Sequence, residues 1–320
     1  VYDVQVTATR GVAEDRRTLP QPTSVTTRED IEGRAYQHVP QMLQNVPGVL
    51  VQQTTSAQGS PTIRGFTGSA NAYLVDGVRF NLATWRGGPS QYLAWVDTAA
   101  VDRLEVVRGP GSVQYGSDAL GGTINVLPMK MPFASAGARV GGELSVLGAT
   151  ADTSAATEGG LSVQGRNVSL RVGGSSRSVD DLRPGRGLDS RAAVTRYLGL
   201  ASSAVNGARL PSTGFEERGA YASGQWRTSA DGLLTGLYIH GQQRGASRYD
   251  RIDGGAGLYR SGFDPQRLDF AVLRYAHQSL PGFDSASAAL SINRQADGTF
   301  EQTRPTTFLD RQESVNRAVG

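Results

Sequence analysis

Side chains able to do covalent or metal chemistry are sparse in this sequence. Its 320 residues contain no Cys, which removes thiolate catalysis, disulfides and Cys-held metals. Its three His residues, His38, His240 and His277, are far apart, and none has an i, i+4 partner of the kind a metal site uses. They read as surface or wall residues. Gly109-Pro110-Gly111-Ser112 suggests a phosphate cradle, but no Gly-Lys-Ser/Thr follows, so a P-loop is not supported. Gly116-Ser117-Asp118 and Gly121-Gly122 read instead as turns that need positive φ. A hydrolase would set a Ser between glycines at an elbow, with a His downstream, and that arrangement is missing. The chain reads as a non-enzyme with no cofactor.

Residues suited to binding are easier to find. The stretch Phe80 to Trp95 holds Trp85, Arg86, Gln91, Tyr92 and Trp95 between two strand-like segments. Aromatic rings supply large contact area and Arg and Gln supply orientation, which suits a ligand floor. The other reading is that Trp85 and Trp95 only pack the loop. Arg64, Glu105 and Arg108 lie on or beside strand-like segments, and a charge buried there would need a partner. The overall balance is 32 basic against 29 acidic residues, a net charge of +3. With no block of like charge, this is not a nucleic-acid footprint. All basic residues but Lys130 are Arg.

Two textures divide the chain. Up to about residue 130, short apolar runs alternate with turn signals, as in a compact α/β domain. Thr27 with Asp30 is a capping pattern for a helix over Arg28–Glu32. Pro40 suits the first turn of a helix over Val39–Asn45, and Pro47-Gly48 stops it. Thr23 to Thr27 is a short β-branched stretch, and strands are expected at Val49–Val51, Thr62–Arg64, Tyr73–Val75, Leu104–Val107 and Thr123–Leu127. Asp76-Gly77 suggests a hairpin, and Asp97 can cap a short helix.

From about residue 137 strict alternation takes over. Val140, Leu144 and Val146 alternate with Gly141, Glu143 and Ser145. Val168, Leu170 and Val172, then Leu233, Leu237 and Ile239, then Ala286, Ala288, Leu290 and Ile292 repeat the pattern. Period-two segments of about ten residues, broken by turns, are how membrane-spanning strands read. A soluble β-sandwich or β-helix is the competing reading, but it would need a greasier core face. The mean hydropathy of -0.32 does not exclude a membrane, because alternation averages out. Long polar connections are expected at 180–191 and 244–266, and tight ones at 229–232 and 282–284.

The first half resembles the plug of TonB-dependent outer-membrane receptors over most of residues 3–130. Thr62-Ile63-Arg64-Gly65-Phe66 looks like the family's Ile-Arg-Gly strand. Leu74-Val75-Asp76-Gly77-Val78-Arg79 looks like its Val-Asp-Gly-Val turn. The stretch from Val101 to Leu127, with Arg108-Gly109-Pro110, Tyr115-Gly116 and Gly121-Gly122, is the most specific part. Asp3, Val4, Gln5, Val6, Thr7 and Ala8 look like the TonB box gripped by the energy-coupling protein.

The resemblance implies an α/β plug domain followed by antiparallel transmembrane β-barrel strands, in a family whose barrel has 22. The expected division is a TonB box and extended segment at 1–9, the plug at 10–130 and barrel strands at 131–320. About 190 residues allow roughly eight or nine strands, too few to enclose a plug, so the sequence is expected to be incomplete. It starts without a signal peptide and is expected to be a trimmed form. The implied role is TonB-dependent active transport of a scarce ligand, of the iron-siderophore, haem or cobalamin type, across the outer membrane of a Gram-negative-type bacterium. The plug would be reachable from the periplasm, and in the family plug arginines pair with barrel glutamates, a role for Arg64, Glu105 and Arg108. The expected partners are a TonB-type protein, a small-molecule ligand such as an iron chelate, and the outer-membrane bilayer, with no nucleic acid. The alternative is a non-transporting signalling or bacteriocin/phage receptor on the same fold.

Overall fold

The computed structural model describes residues 4–5, 14–15, 19–85, 92–183, 212–251 and 258–320. Strands β1 (Val4–Gln5) and β2 (Glu14–Asp15) form a small antiparallel ribbon. After β3 (Thr23–Thr26) comes helix α1 (Arg28–Arg34), two residues longer than its sequence pattern suggested. Both halves of its capping box are made: Asp30 N–H donates to Thr27 Oγ1 at 3.2 Å and Thr27 N–H donates to Asp30 Oδ2 at 3.0 Å. Such a cap contributes about 1 kcal/mol, and Ile31 is the residue that the helix buries. The second expected helix is a 3₁₀ turn at Val39–Leu43.

Strands β4 (Val49–Gln52), β5 (Ser60–Ile63) and β6 (Phe66–Thr67) make a three-stranded antiparallel sheet. Strands β7 (Ala72–Val75), β8 (Val78–Arg79), β9 (Val101–Arg108) and β10 (Gly122–Pro128) join β3 in a mixed sheet. Its order is β3-β9-β10-β7-β8, with β10 parallel to β7. The hairpin between β7 and β8 turns at Asp76 (φ 51°) and Gly77 (φ 76°). Two successive positive φ values are what a type I′ turn requires, and they explain the Asp-Gly pair.

The rest is one antiparallel sheet, the wall. Its strands are β11 (Arg139–Ala149), β12 (Ser154–Gln164), β13 (Val168–Val179), β14 (Phe215–Arg227), β15 (Gly232–Arg244), the short β16 (Ala246–Ser247), β17 (Arg260–Leu280), β18 (Phe283–Gln302) and β19 (Asp310–Val319). Neighbours in sequence pair throughout, with β16 set aside against β17. Residues 165–167, 228–231 and 281–282 make short turns at one end, while 180–214, 248–259 and 303–309 connect strands at the other. The long connection expected at 244–266 is shorter than that, because β17 already begins at Arg260. Among the described residues no helix is long and apolar enough to cross a membrane, which says nothing of strands.

Plug and wall share one core. Val75, Phe80, Trp95, Leu104, Val106 and Ile124 pack in the same cluster as Tyr221, Leu237, Ile239, Leu268, Phe270 and Val272 of the wall. Burying each such side chain contributes roughly 1.5–3 kcal/mol. Leu237 and Ile239 of β15 and Leu268, Phe270 and Val272 of β17 thus turn inward to the plug. On β13 and β18 the apolar set, Val168, Leu170, Val172, Leu290 and Ile292, is exposed on the outer face.

Candidate functional site

Three of the sequence-predicted residues, Trp85, Tyr92 and Trp95, gather at the contact between plug and wall. The 3₁₀ turn Tyr92–Trp95 brings Trp85, Tyr92 and Trp95 together. Trp85 stacks on Tyr92 with ring centroids 4.4 Å apart, and Tyr92 meets Trp95 edge-on at 4.9 Å. Their polar atoms point to the wall: Tyr92 donates to Asp297 Oδ2 at 2.9 Å and Trp85 Nε1 to Gln295 Oε1 at 2.6 Å. The expected ligand floor is therefore, for these three residues, a buried aromatic stack that anchors the plug. Rings that hide this much surface gain more from packing than from standing open to water. Arg86 and Gln91 lie outside the described residues.

Beside the stack runs a chain of buried amides. Gln58 Nε2 donates to Gln243 Oε1 at 3.2 Å and to Gln266 Oε1 at 2.9 Å. Gln266 Nε2 donates to Asp297 Oδ1 at 2.7 Å, and Gln243 Nε2 donates to the carbonyls of Ala57 (3.0 Å) and Ala94 (3.2 Å). Asn293 Nδ2 donates to the Phe80 carbonyl at 2.9 Å. Sequence reasoning missed this network. Its one local signal is the polar row Asn293, Gln295, Asp297 at spacing two, where a strand shows one face.

Next to it, the wall has a flat seat. Gly219 of β14 and Gly241 of β15 are register partners. A Cβ at Gly241 would overlap the Trp95 carbonyl oxygen, and a Cβ at Gly219 would overlap the Asp97 carboxylate. Asp97 Oδ1 accepts from Ser175 Oγ at 2.8 Å and from Ala99 N–H at 3.0 Å, so Asp97 caps its short helix as its position suggested. Its Oδ2 and the Oε2 of Glu217, both buried, have no hydrogen-bond partner among the described residues. Burial pushes the Asp97 carboxyl up to about 6, opposed by the hydrogen bonds from Ser175 and Ala99.

The charges sort differently from expectation. Arg64 is exposed. Glu105 is fully buried but pairs with Arg103 of its own strand, Nε to Oε1 at 2.9 Å. Arg108 donates to Ser24 Oγ (2.7 Å) and to the carbonyls of Pro47 (2.8 Å) and Thr23 (3.3 Å). β9 lies between β3 and β10, and these contacts of Glu105 and Arg108 are to plug atoms. Other residues bridge plug and wall. Arg28 of α1 pairs with Glu158 of β12 at 3.7 Å, and Arg177 of β13 joins Glu158 at 3.5 Å. At the short-turn end the signs reverse, with plug Asp76 held by wall Arg274 (3.5 Å) and by Lys130 (2.6 Å). A cavity of about 300 Å³ between α1 and the wall is lined by Arg28, Tyr36, Thr98, Glu143, Glu158 and Arg177, among others.

His240 and His277 are wall residues, but His38 is fully buried in the plug, where burial pushes its imidazole down to about 3 and keeps it neutral. No group of three or more potential ligands that could hold a metal occurs among the described residues. In the N-terminal segment, Val4 and Gln5 pair antiparallel with Asp15 and Glu14. Asp3, Val6, Thr7 and Ala8 lie outside the described residues.

Comparison with known proteins gives the same architecture. A family model described as TonB-dependent Receptor Plug Domain matches residues 15–123. An iron-regulated outer membrane virulence protein of Vibrio cholerae serotype O1 is 38% identical over 135 residues, covering 40% of this chain and 20% of that protein. The copper transporter OprC superposes with a TM-score of 0.67 at 19% identity, over 93% of this chain and 41% of its own. The ferric enterobactin receptor PfeA of Pseudomonas aeruginosa, solved with enterobactin, gives 0.65 at 20% identity, over 93% and 45%. The chain thus spans a fifth of the curated relative and under half of either solved receptor.

Proposed function

We infer, for a chain whose residues 15–123 are a TonB-dependent receptor plug domain and whose later strands follow the wall of such receptors, TonB-dependent uptake across a bacterial outer membrane. The plug match carries this reading. Beside the shared apolar core, the plug–wall contact carries single ion pairs, Arg28–Glu158 and Arg274–Asp76, which water can replace one at a time. We assign residues 1–9 to the coupling segment, 10–130 to the plug and 131–320 to the barrel wall. The ligand class is a metal chelate, by analogy with relatives named for iron, copper and ferric enterobactin. Arg86 and Gln91, which lie in sequence between Trp85 and Tyr92, are the candidate ligand contacts.

In this reading Asp3–Ala8 is drawn out and adds as a strand to an energy-coupling partner. Val6→Pro removes one N–H and fixes φ where that strand must pair. The expected outcome is loss of labelled ferric-chelate uptake by iron-starved cells, with chelate binding at the surface unchanged. Normal uptake by that variant overturns the coupling assignment.

A further inference from the structure

The outer face of the wall changes character along its strands. On β18 the outward residues are Ala286, Ala288, Leu290 and Ile292, and then Arg294. On β17 they are Tyr275, Leu273 and Ala271, and then Asp269 and Arg267. From Ala286 to Arg294 the strand advances about 27 Å, or about 20 Å of height at the usual tilt, close to the roughly 25 Å apolar band of such barrels. The charged rows therefore begin where the apolar band ends, on the side of the longer connections.

The first row is internally neutralised. Asp269 accepts from Tyr238 Oη (3.0 Å) and Arg294 (3.0 Å) and pairs with His240 Nδ1 (2.8 Å). The row beyond it is not. Arg218 of β14, Gln242 of β15 and Arg267 of β17 lie side by side by register, and Arg244 follows Gln242 on the same face. All three arginines are exposed, and among the described residues none has a carboxylate within ion-pair distance. Glu216, opposite Arg244 in register, is the acid beside them. Arg218 and Arg267, two strands apart, are about 10 Å from each other, so three guanidinium groups border a patch one headgroup wide.

We propose that Arg218, Arg244 and Arg267 form a binding site for a phosphate-bearing lipid headgroup in the leaflet at the long-connection end of the barrel. Charge on a lipid-facing wall is tolerated near the interface and costly at mid-depth, which fits the height of this row. Guanidinium matches phosphate oxygens with two parallel hydrogen bonds. The net cationic set, with its apolar surface directly below, accommodates an anionic head and its acyl chains together. The proposal rests on the wall being membrane-embedded.

The test uses the receptor purified from outer membranes in uncharged detergent. It is titrated with diphosphorylated lipid A, with the same lipid stripped of phosphate, and with inorganic phosphate. Wild type is expected to bind the phosphorylated lipid at least tenfold more tightly than either other probe. The triple variant R218Q/R244Q/R267Q is expected to lose that tenfold preference. Equal affinity of the variant, equal binding of the stripped lipid, or equally tight inorganic phosphate overturns the proposal. Should the triple variant fail to assemble, R267Q alone is expected to lose about threefold, and no loss overturns it. Flotation of wild type with neutral-lipid vesicles separates the two layers of the argument. A receptor that does not float defeats the membrane reading, whereas one that floats without discriminating phosphate defeats only the lipid site.

Discussion

On β13, Val168, Leu170 and Val172 face outward and stand 53%, 45% and 41% exposed, while Ser169, Arg171 and Arg177 turn inward and are buried. Two strands further along the wall, Leu237 and Ile239 of β15 face inward at 6% and 1%, and Tyr238 and His240 face outward. Both strands alternate with period two, yet they turn their apolar residues to opposite sides. The plug causes the difference. Where its hydrophobic sheet leans on the wall, at β14, β15 and β17, the lumen side is dry and takes Leu, Ile, Phe and Val. Where α1 and its polar neighbours face the wall, the lumen side takes charges such as Glu158 and Arg177.

The most damaging way to break this contrast is to fill the seat. Gly241→Val puts two methyl groups against the Trp95 carbonyl, in a core that cannot relax without unseating the plug. The expected outcome is a wall whose plug is proteolysed, read by limited proteolysis of the purified protein. Gly236→Val, on the outer face of the same strand and in no such contact, should leave the plug protected. If both variants keep the plug equally protected, the seat is not a docking contact.

Truncation of one buried ring comes next. Phe270 is fully buried and meets Phe80 edge-on at 6.0 Å. Phe270→Ala should cost about 3–5 kcal/mol, measured by denaturant unfolding followed through Trp fluorescence. A cost below about 1 kcal/mol would mean that β17 does not share a core with the plug.

The outward side calls for the reverse substitution. Leu290→Arg, on the exposed face of β18, should cost about 2–4 kcal/mol at mid-depth in lipid. Ser291→Arg, on the inward face, should be mild. Equal costs in the lipid-reconstituted protein would show that the faces are assigned wrongly.

Much of this was legible where the cause is local. Thr27 and Asp30 gave the α1 cap because both partners sit within one turn. Asp76-Gly77 gave its hairpin because the conformation demands those residues. Alternation gave the strands, since a pleat has period two whatever lies on either side. It could not give the side, because that depends on which plug surface arrives more than a hundred residues away in sequence. The same distance hid the seat, as Gly219 and Gly241 are ordinary strand glycines until Trp95 and Asp97 press on them. It also misplaced the bridging charges. Arg64, Glu105 and Arg108 stand in the most recognisable motifs, but the plug–wall ion pairs among the described residues are made by Arg28 and Asp76.

The smallest expected effect is a pH dependence at the seat, and its sign follows from burial. Asp97 has an ordinary carboxyl when the plug is undocked, with a value near 3.8, and one raised to about 6 when docked, burial being the largest cause. Glu158 of β12 raises it further, whereas Ser175 and Arg177 of β13 and the Ala99 amide lower it. Glu217 of β14, two residues along the strand from Gly219, faces it as a second acid. Between those two values the docked state binds the extra proton. The stabilisation is therefore full below about pH 4 and is lost as pH rises through about 6. At neutral pH the carboxylate is ionised and buried with one oxygen unpaired, a loss of about 1–3 kcal/mol relative to acid conditions. Asp97→Asn keeps an oxygen for Ser175 and Ala99 but has nothing to titrate. Its unfolding midpoint should match wild type near pH 4 and exceed it near pH 7.5, with the gap opening between pH 4 and 6. Groups elsewhere titrate in both proteins and largely cancel in the difference. A gap that is constant with pH would mean that Asp97 is not desolvated in the docked plug, and a gap that closes as pH rises would mean that Arg177 outweighs burial.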